Sequence, residues 1–173
     1  MVDPVLTELD DRRRTGAAVD VCWPIVATLV DRLRQRPDAI QAWEPIHAAH
    51  LGFELPAGVV SAWLFVLRPR ATFPSERHPN SWQRSLALQG RATFELYSDG
   101  VWVPHVLDGG GATIAVRGVS IRPGVWHRIE VGAEPFVSLS FHTVEATELI
   151  EETCIGGDLS QTRVRRYAAA VHE

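Results

Sequence analysis

The stretch PSERHPNSWQRSLALQG, from Pro74 to Gly90, sets a carboxylate at Glu76, an imidazole at His78 and carboxamides at Asn80 and Gln83. Carboxylate oxygen, imidazole nitrogen and amide oxygen can all hold a divalent cation. The same groups also close turns and satisfy buried backbone. Side chains alternate between the faces of a strand, so Glu76, His78 and Asn80 share one face. Gln83 has the opposite parity unless the chain turns after Asn80, and Pro79-Asn80-Ser81 is turn chemistry. A second imidazole arrives from far along the chain, where the tight-turn signal Arg122-Pro123-Gly124 launches a segment carrying His127. Structural alternatives exist for each residue. Glu76 could pair with Arg77 or Arg84, His78 could close a turn, Gln83 could satisfy a hairpin, and His127 could be a half-buried strand residue.

These groups need a frame. From Pro24 to Arg36, Ile25, Val26, Leu29, Val30 and Leu33 recur at helical spacing opposite Asp31, Arg32, Arg34 and Arg36, which predicts an amphipathic helix. Pro37 ends it. Asp38 can cap a second helix carrying Trp43, His47 and His50 before Gly52 and Pro56. After Gly58 the pattern becomes short apolar or alternating segments: Val59 to Leu67, Trp82 to Leu88, Ala92 to Tyr97, Val101 to Leu107, Thr113 to Val116, Val125 to Val131 and Phe136 to Thr143. Turn sequences at 98–100, 108–111, 122–124 and 132–135 separate them. Many short strands at near-regular spacing predict a closed antiparallel barrel or a jelly roll. A short C-terminal helix is expected over 145–152, followed by a tail whose Arg163, Arg165 and Arg166 read as a solvated face.

The segment from Val59 to Thr143 resembles the cupin superfamily. In the first cupin motif, Glu76 stands where the first His would be and His78 is the second. Four residues later Gln83 replaces the usual Glu, and after six more Gly90 closes the motif. Pro74 is also in place, whereas Arg70 stands where the motif opens with Gly. In the second motif Gly124 and His127 keep their spacing, Pro123 is one position late, and Val131 replaces Asn. The resemblance implies a metal site of Glu76, His78, Gln83 and His127, with Asn80 as a rival ligand better suited to hydrogen bonding around the site or to substrate. The common cupin set is three imidazoles and one carboxylate; here one imidazole gives way to an amide oxygen. Without Gln83, a labile fourth ligand, the set is two His and one carboxylate, which suits ferrous iron with open positions. The composition is also similar to the zinc site of the phosphomannose isomerase branch, and nickel, cobalt or manganese would fit mixed nitrogen and oxygen donors.

The implied fold is mainly β: a cupin-like jelly-roll barrel over 58–144, an N-terminal helical arm over 1–57, and a C-terminal helix and tail over 145–173, forming one structural domain. The implied activity is a metal-dependent oxidoreductase of dioxygenase type. A divalent-metal isomerase, lyase or cyclase is the second reading, and a metabolite-binding barrel without catalysis the third. His142 ends a strand whose Ser138, Ser140 and His142 share one face, opposite Val137, Leu139 and Phe141. If the serine face lines the interior, His142 is a candidate acid or base; if the valine face does, His142 is structural, which is the commoner role of a strand His. Arg68 and Arg70 are candidates for a substrate acid or phosphate, and Trp126 for a pocket wall. His47 and His50 read as one side of a packed helix, and Cys22 and Cys154 as reduced thiols without metal spacing.

With 173 residues, 46% hydrophobic and 22% charged, the chain can build one core, and a net charge of −4 without a basic face argues against nucleic acid. The longest apolar run is about half the length a membrane span needs, and the acidic N-terminal stretch is unlike a signal peptide. A cytoplasmic homodimer acting on a small molecule is therefore the expectation.

Overall fold

The computed structural model describes residues 3–15 and 18–167. Two helices, α1 (Pro4–Thr15) and α2 (Ala18–Gln35), lead into strands β1 (Gln41–Ile46), β2 (Ser61–Leu67), β3 (Glu76–Arg77), β4 (Gln83–Gln89), β5 (Arg91–Ser98) and β6 (Val101–Asp108). A one-turn helix α3 (Ile114–Arg117) precedes β7 (Gly118–Ile121), β8 (His127–Val131), β9 (Phe136–His142), β10 (Ile150–Ile155) and β11 (Asp158–Arg166). The strands form two antiparallel sheets, one of five in the order β1-β2-β9-β4-β7 and one of six in the order β11-β10-β3-β8-β5-β6. Facing sheets of this kind are the expected jelly roll.

The outer face of the five-stranded sheet is covered by the helices. Leu6 and Leu9 of α1 and Cys22, Val26, Leu29 and Leu33 of α2 share one buried cluster with Leu64, Leu86, Leu139 and Phe141. The spacing of the α2 residues is a continuous helical stripe. Because Cys22 extends that stripe by a turn, α2 begins well before Pro24 and carries this proline inside it. A buried ion pair fixes α1 to the barrel: Arg117 binds Asp10, which also accepts from Arg13 at 3.1 Å.

Three expected elements differ. The second helix is absent: residues 41–46 form β1, paired in register with β2 from Gln41↔Leu67 to Ile46↔Ala62. Pro45 is unsuited to a helix interior but tolerated in an edge strand. His47 and His50 consequently lie exposed about a short 3-10 turn, with rings 5.8 Å apart. The strand expected at 113–116 is the single turn α3, and the following residues pair instead. The C-terminal helix is reduced to a 3-10 turn at Ala146–Glu148, after which β10 and β11 form a hairpin. Its turn glycines, Gly156 (φ 61°) and Gly157 (φ 85°), supply the two positive φ values that a tight hairpin turn needs. Residues 168–173 of the expected tail lie outside the described residues, and no described helix is long and apolar enough to cross a membrane.

Gly90, which joins β4 to β5, has φ 74°, and a Cβ there would be driven into the carbonyl oxygen of Pro135. Gly124 has a similar φ of 76° but open space around it. Gly90→Ala is therefore expected to cost about 2–4 kcal/mol. Gly124→Ala is expected to cost only about 1 kcal/mol. Urea denaturation of the two variants checks the order.

Candidate metal centre

A cavity of about 40 Å³ opens between the two sheets. The inward side chains of the five-stranded sheet include Trp63 and Phe65 from β2, Gln83 from β4, and Ser138, Ser140 and His142 from β9. The serine face of β9 thus lines the interior, and the structural placement of His142 outside the barrel is corrected. The cause is the helical cover: Val137, Leu139 and Phe141 are needed against α1 and α2, which turns the serines inward.

Across the cavity, Glu76 on β3 is the register partner of His127 on β8, and His78 follows two residues later. One potential ligand atom from each of Glu76, His78 and His127 lies within 4.8 Å of the others. The two imidazoles are oriented by backbone: His78 Nδ1 lies 3.1 Å from the Ile150 carbonyl oxygen and His127 Nδ1 lies 3.2 Å from that of Val125. A carbonyl can only accept, so each Nδ1 carries a proton, and in the neutral imidazole Nε2 is left with its lone pair. Carbonyl-oriented imidazoles of this kind are characteristic of metal ligands.

His127 Nε2 lies 3.3 Å from Glu76 Oε1, yet it is fully buried and has no hydrogen-bond partner. In the neutral imidazole a lone pair faces a carboxylate, an arrangement that calls for a positive charge between the two. Gln83 Oε1 is likewise buried without a donor, its Nε2 being used by Ser85 Oγ at 3.1 Å. Buried acceptors without donors are costly, and a cation among Glu76, His78 and His127 would satisfy His127 Nε2. The residues present fit a divalent metal.

Titration behaviour agrees. Burial pushes the Glu76 carboxyl up, but the contact with His127 and the positive charge that His127 and His78 carry when protonated outweigh it and bring the group below its ordinary value; with the imidazoles neutral, a bound cation would take over that part. Burial lowers His78, assisted by His127 and opposed by Glu76, so it stays neutral. His142 is pushed well down by burial and by the two neighbouring imidazoles.

Gln83 joins the group despite its parity. The chain leaves the six-stranded sheet after Arg77, turns at Pro79-Asn80, and enters the five-stranded sheet at Gln83, directly opposite His142. Glu76 and Gln83 therefore point inward from different sheets. The rings of His78 and His142 meet edge to face at 5.2 Å. Ser81 Oγ donates to the Trp82 carbonyl and accepts from Thr143 N, so His142 Nδ1, 3.3 Å away, is the donor to it and Nε2 keeps a lone pair.

The architecture is similar to recombinant pro-11S globulin of pumpkin, with TM-score 0.51 and 16% identity over 65% of this chain and 28% of that one. It is also similar to CapF with the inhibitor 3-isopropenyl-tropolone, with TM-score 0.50 and 14% identity over 76% of this chain and 33% of that one. Both are cupin-fold proteins. The chain has the cupin fold. Oxalate oxidase in complex with glycolate aligns at TM-score 0.47 and 15% identity, over 61% of this chain and 52% of that one. The chain thus spans between 28% and 52% of the length of these three cupins. No protein-family model matches the sequence, and neither does any curated protein.

The remaining sequence candidates are brought elsewhere in this cupin-fold chain. Asn80 donates to the Glu148 carbonyl at 2.8 Å and accepts from Ile150 N at 3.1 Å, so it pins the start of β10 and thereby the carbonyl that orients His78. Arg68 closes the end of α2, bonding the carbonyls of Ala39, Leu33 and Arg36. Arg70 sits at φ 59° on an exposed turn, and Trp126 packs under the Arg77 guanidinium 4.6 Å from its ring centre. None of Arg68, Arg70 and Trp126 lines the cavity.

The hairpin supplies wall residues that the sequence reading missed: Glu151, and Tyr167 just beyond β11. The Tyr167 hydroxyl donates to Glu151 Oε2, and Thr153 Oγ1 donates to Oε1 at 3.3 Å. Burial and the charge of Glu76 push the Glu151 carboxyl up, and burial beside Glu151 keeps Tyr167 protonated. The Gly156-Gly157 pair was the signal that could have revealed this hairpin.

The depressed His142 has a stability consequence. Below the ordinary His value of about 6.5, unfolded His142 takes up a proton that the folded residue refuses, so stability rises with pH through this window and falls on acidification. In metal-free protein His142 contributes up to about 1.4 kcal/mol per pH unit. Urea midpoints of chelator-treated wild type are expected to fall more steeply below this pH than those of His142→Gln. Equal slopes would contradict the placement.

Proposed function

We propose that this cupin is a mononuclear metalloenzyme acting on a small molecule, with Glu76, His78 and His127 as ligands, Gln83 as a labile fourth, and ferrous iron as the preferred ion in a dioxygenase-type oxidation. The observation that carries this reading is the pair of buried acceptors without donors, His127 Nε2 and Gln83 Oε1, beside a carboxylate held as an anion. Two imidazoles and one carboxylate are the donor set of non-haem ferrous oxygenases. Bound there, ferrous iron would supply redox chemistry toward dioxygen.

The chain's own residues do the rest. His78 and His127 are oriented through Nδ1 by the Ile150 and Val125 carbonyls, and Glu76 would leave a divalent ion one net positive charge. Phe65, Phe94 and Ile129 form apolar walls that limit water, while the small side chains of Ser138 and Ser140 leave space for substrate. The cavity volume favours a compound of few heavy atoms.

A second reading is favoured by His142. A neutral imidazole in the cavity, with Nδ1 committed to Ser81 and a lone pair on Nε2, supports a role in accepting a substrate's hydrogen bond, and a general-base role once a developing positive charge on the substrate offsets its lowered basicity. With zinc or another non-redox ion this arrangement supports an isomerase, lyase or cyclase. The fold does not choose between the two, since cupins carry unrelated functions.

Metal analysis of protein purified without chelators, combined with oxygen uptake, tests the proposal. Near-stoichiometric iron and iron-dependent oxygen uptake are expected. His78→Ala and His127→Ala are expected to lose the metal, while Asn80→Ala retains it with affinity within about tenfold of wild type. Zinc with oxygen-independent turnover would put the second reading first, and equal metal content in all three variants would contradict both.

A further inference from the structure

We propose that the cavity contains, at its Trp63 wall, a recognition subsite for an uncharged hydroxyl group, built from the indole Nε1–H of Trp63 as donor and the Glu151 carboxyl oxygens as acceptors. The metal reading above is needed only for what the other end of such a ligand meets.

Trp63 lines the cavity and is 2% exposed, and its Nε1–H is buried without an acceptor. Its surroundings explain the deficit. Trp43 and Tyr167 pack against it with ring centres 5.0 and 5.1 Å away, and its register partner Ser140 is engaged with Ser85 at 2.8 Å. A buried donor on a cavity-lining residue, without an acceptor among the described residues, is matched by an acceptor brought in by a ligand. Tyr167 links this donor to Glu151, because its ring packs on Trp63 and its hydroxyl donates to Glu151 Oε2. Thr153 occupies the other carboxyl oxygen, so each oxygen retains a lone pair for a further donor.

Charge selects the class of ligand. The cavity is lined by the carboxyl groups of Glu76 and Glu151 and by no Lys or Arg among the described residues. Arg165 stacks on the Trp43 and Tyr167 rings, at 5.8 and 4.6 Å, while remaining exposed. A carboxylate or phosphate at this wall would meet Glu151 directly, with Arg165, whose charge reaches Glu151 and Glu76, outside the lining. A hydroxyl can accept from Trp63 and donate to Glu151 at once. The substrate class is therefore a small neutral alcohol, diol or hydroxyketone.

The test follows the indole N–H resonances by NMR, with Trp63 identified by its loss in Trp63→Phe, or by sequential assignment if that variant does not fold. Chelator-treated and zinc-loaded wild type are each titrated with ethylene glycol and with malonate. Ethylene glycol is expected to move the Trp63 resonance in both forms, and malonate to leave it unmoved in the chelator-treated form. Trp63→Phe is expected to weaken ethylene glycol binding about fivefold while leaving zinc affinity unchanged. A static Trp63 resonance with ethylene glycol, or an equal response to malonate in the chelator-treated form, overturns the subsite. Failure of both zinc and ferrous iron to bind while ethylene glycol still moves Trp63 overturns the metal reading alone.

Discussion

Glu76 and His127 face each other across β3 and β8 with a carboxylate oxygen and an imidazole nitrogen 3.3 Å apart and no hydrogen bond between them. Two acceptors held together in a buried place are unfavourable unless something positive lies between them. Much of the surrounding structure maintains that condition. Backbone carbonyls fix the protons of His78 and His127 on the far nitrogens, and Asn80 fixes the strand that supplies one of those carbonyls.

The helices matter to the centre although they do not touch it. By covering Val137, Leu139 and Phe141, α1 and α2 decide that Ser138, Ser140 and His142 face inward. The outer half of the sheet thereby becomes an apolar sandwich, and the inner half a small polar chamber. The β10–β11 hairpin closes another side. It meets β3 through only two register pairs, supplemented by the Arg77–Glu152 ion pair at 2.6 Å and the contacts of Asn80.

The residues that proved legible in the sequence were those whose meaning is local. Glu76 and His78 share a face because strand geometry requires it, and Pro79-Asn80 turns the chain, so Gln83 could be placed inside despite its parity. The cupin spacing then supplied His127. What could not be read depended on distant partners. The face of β9 is set by helices far away in the chain, β1 is a strand because β2 offers it hydrogen bonds, and Arg68 is consumed by carbonyls of α2. The hairpin was signalled by Gly156-Gly157, yet the helical promise of residues 145–152 masked it, and with it Glu151 and Tyr167.

Anomalous diffraction from crystals of the metal-loaded protein, recorded across the absorption edge of the bound metal, is the most direct measurement. A single peak about 2.0–2.2 Å from His78 Nε2, His127 Nε2 and a Glu76 carboxylate oxygen is the expected result. A peak held by other residues, or none at these three in protein that retains stoichiometric metal, would contradict the metal centre described above.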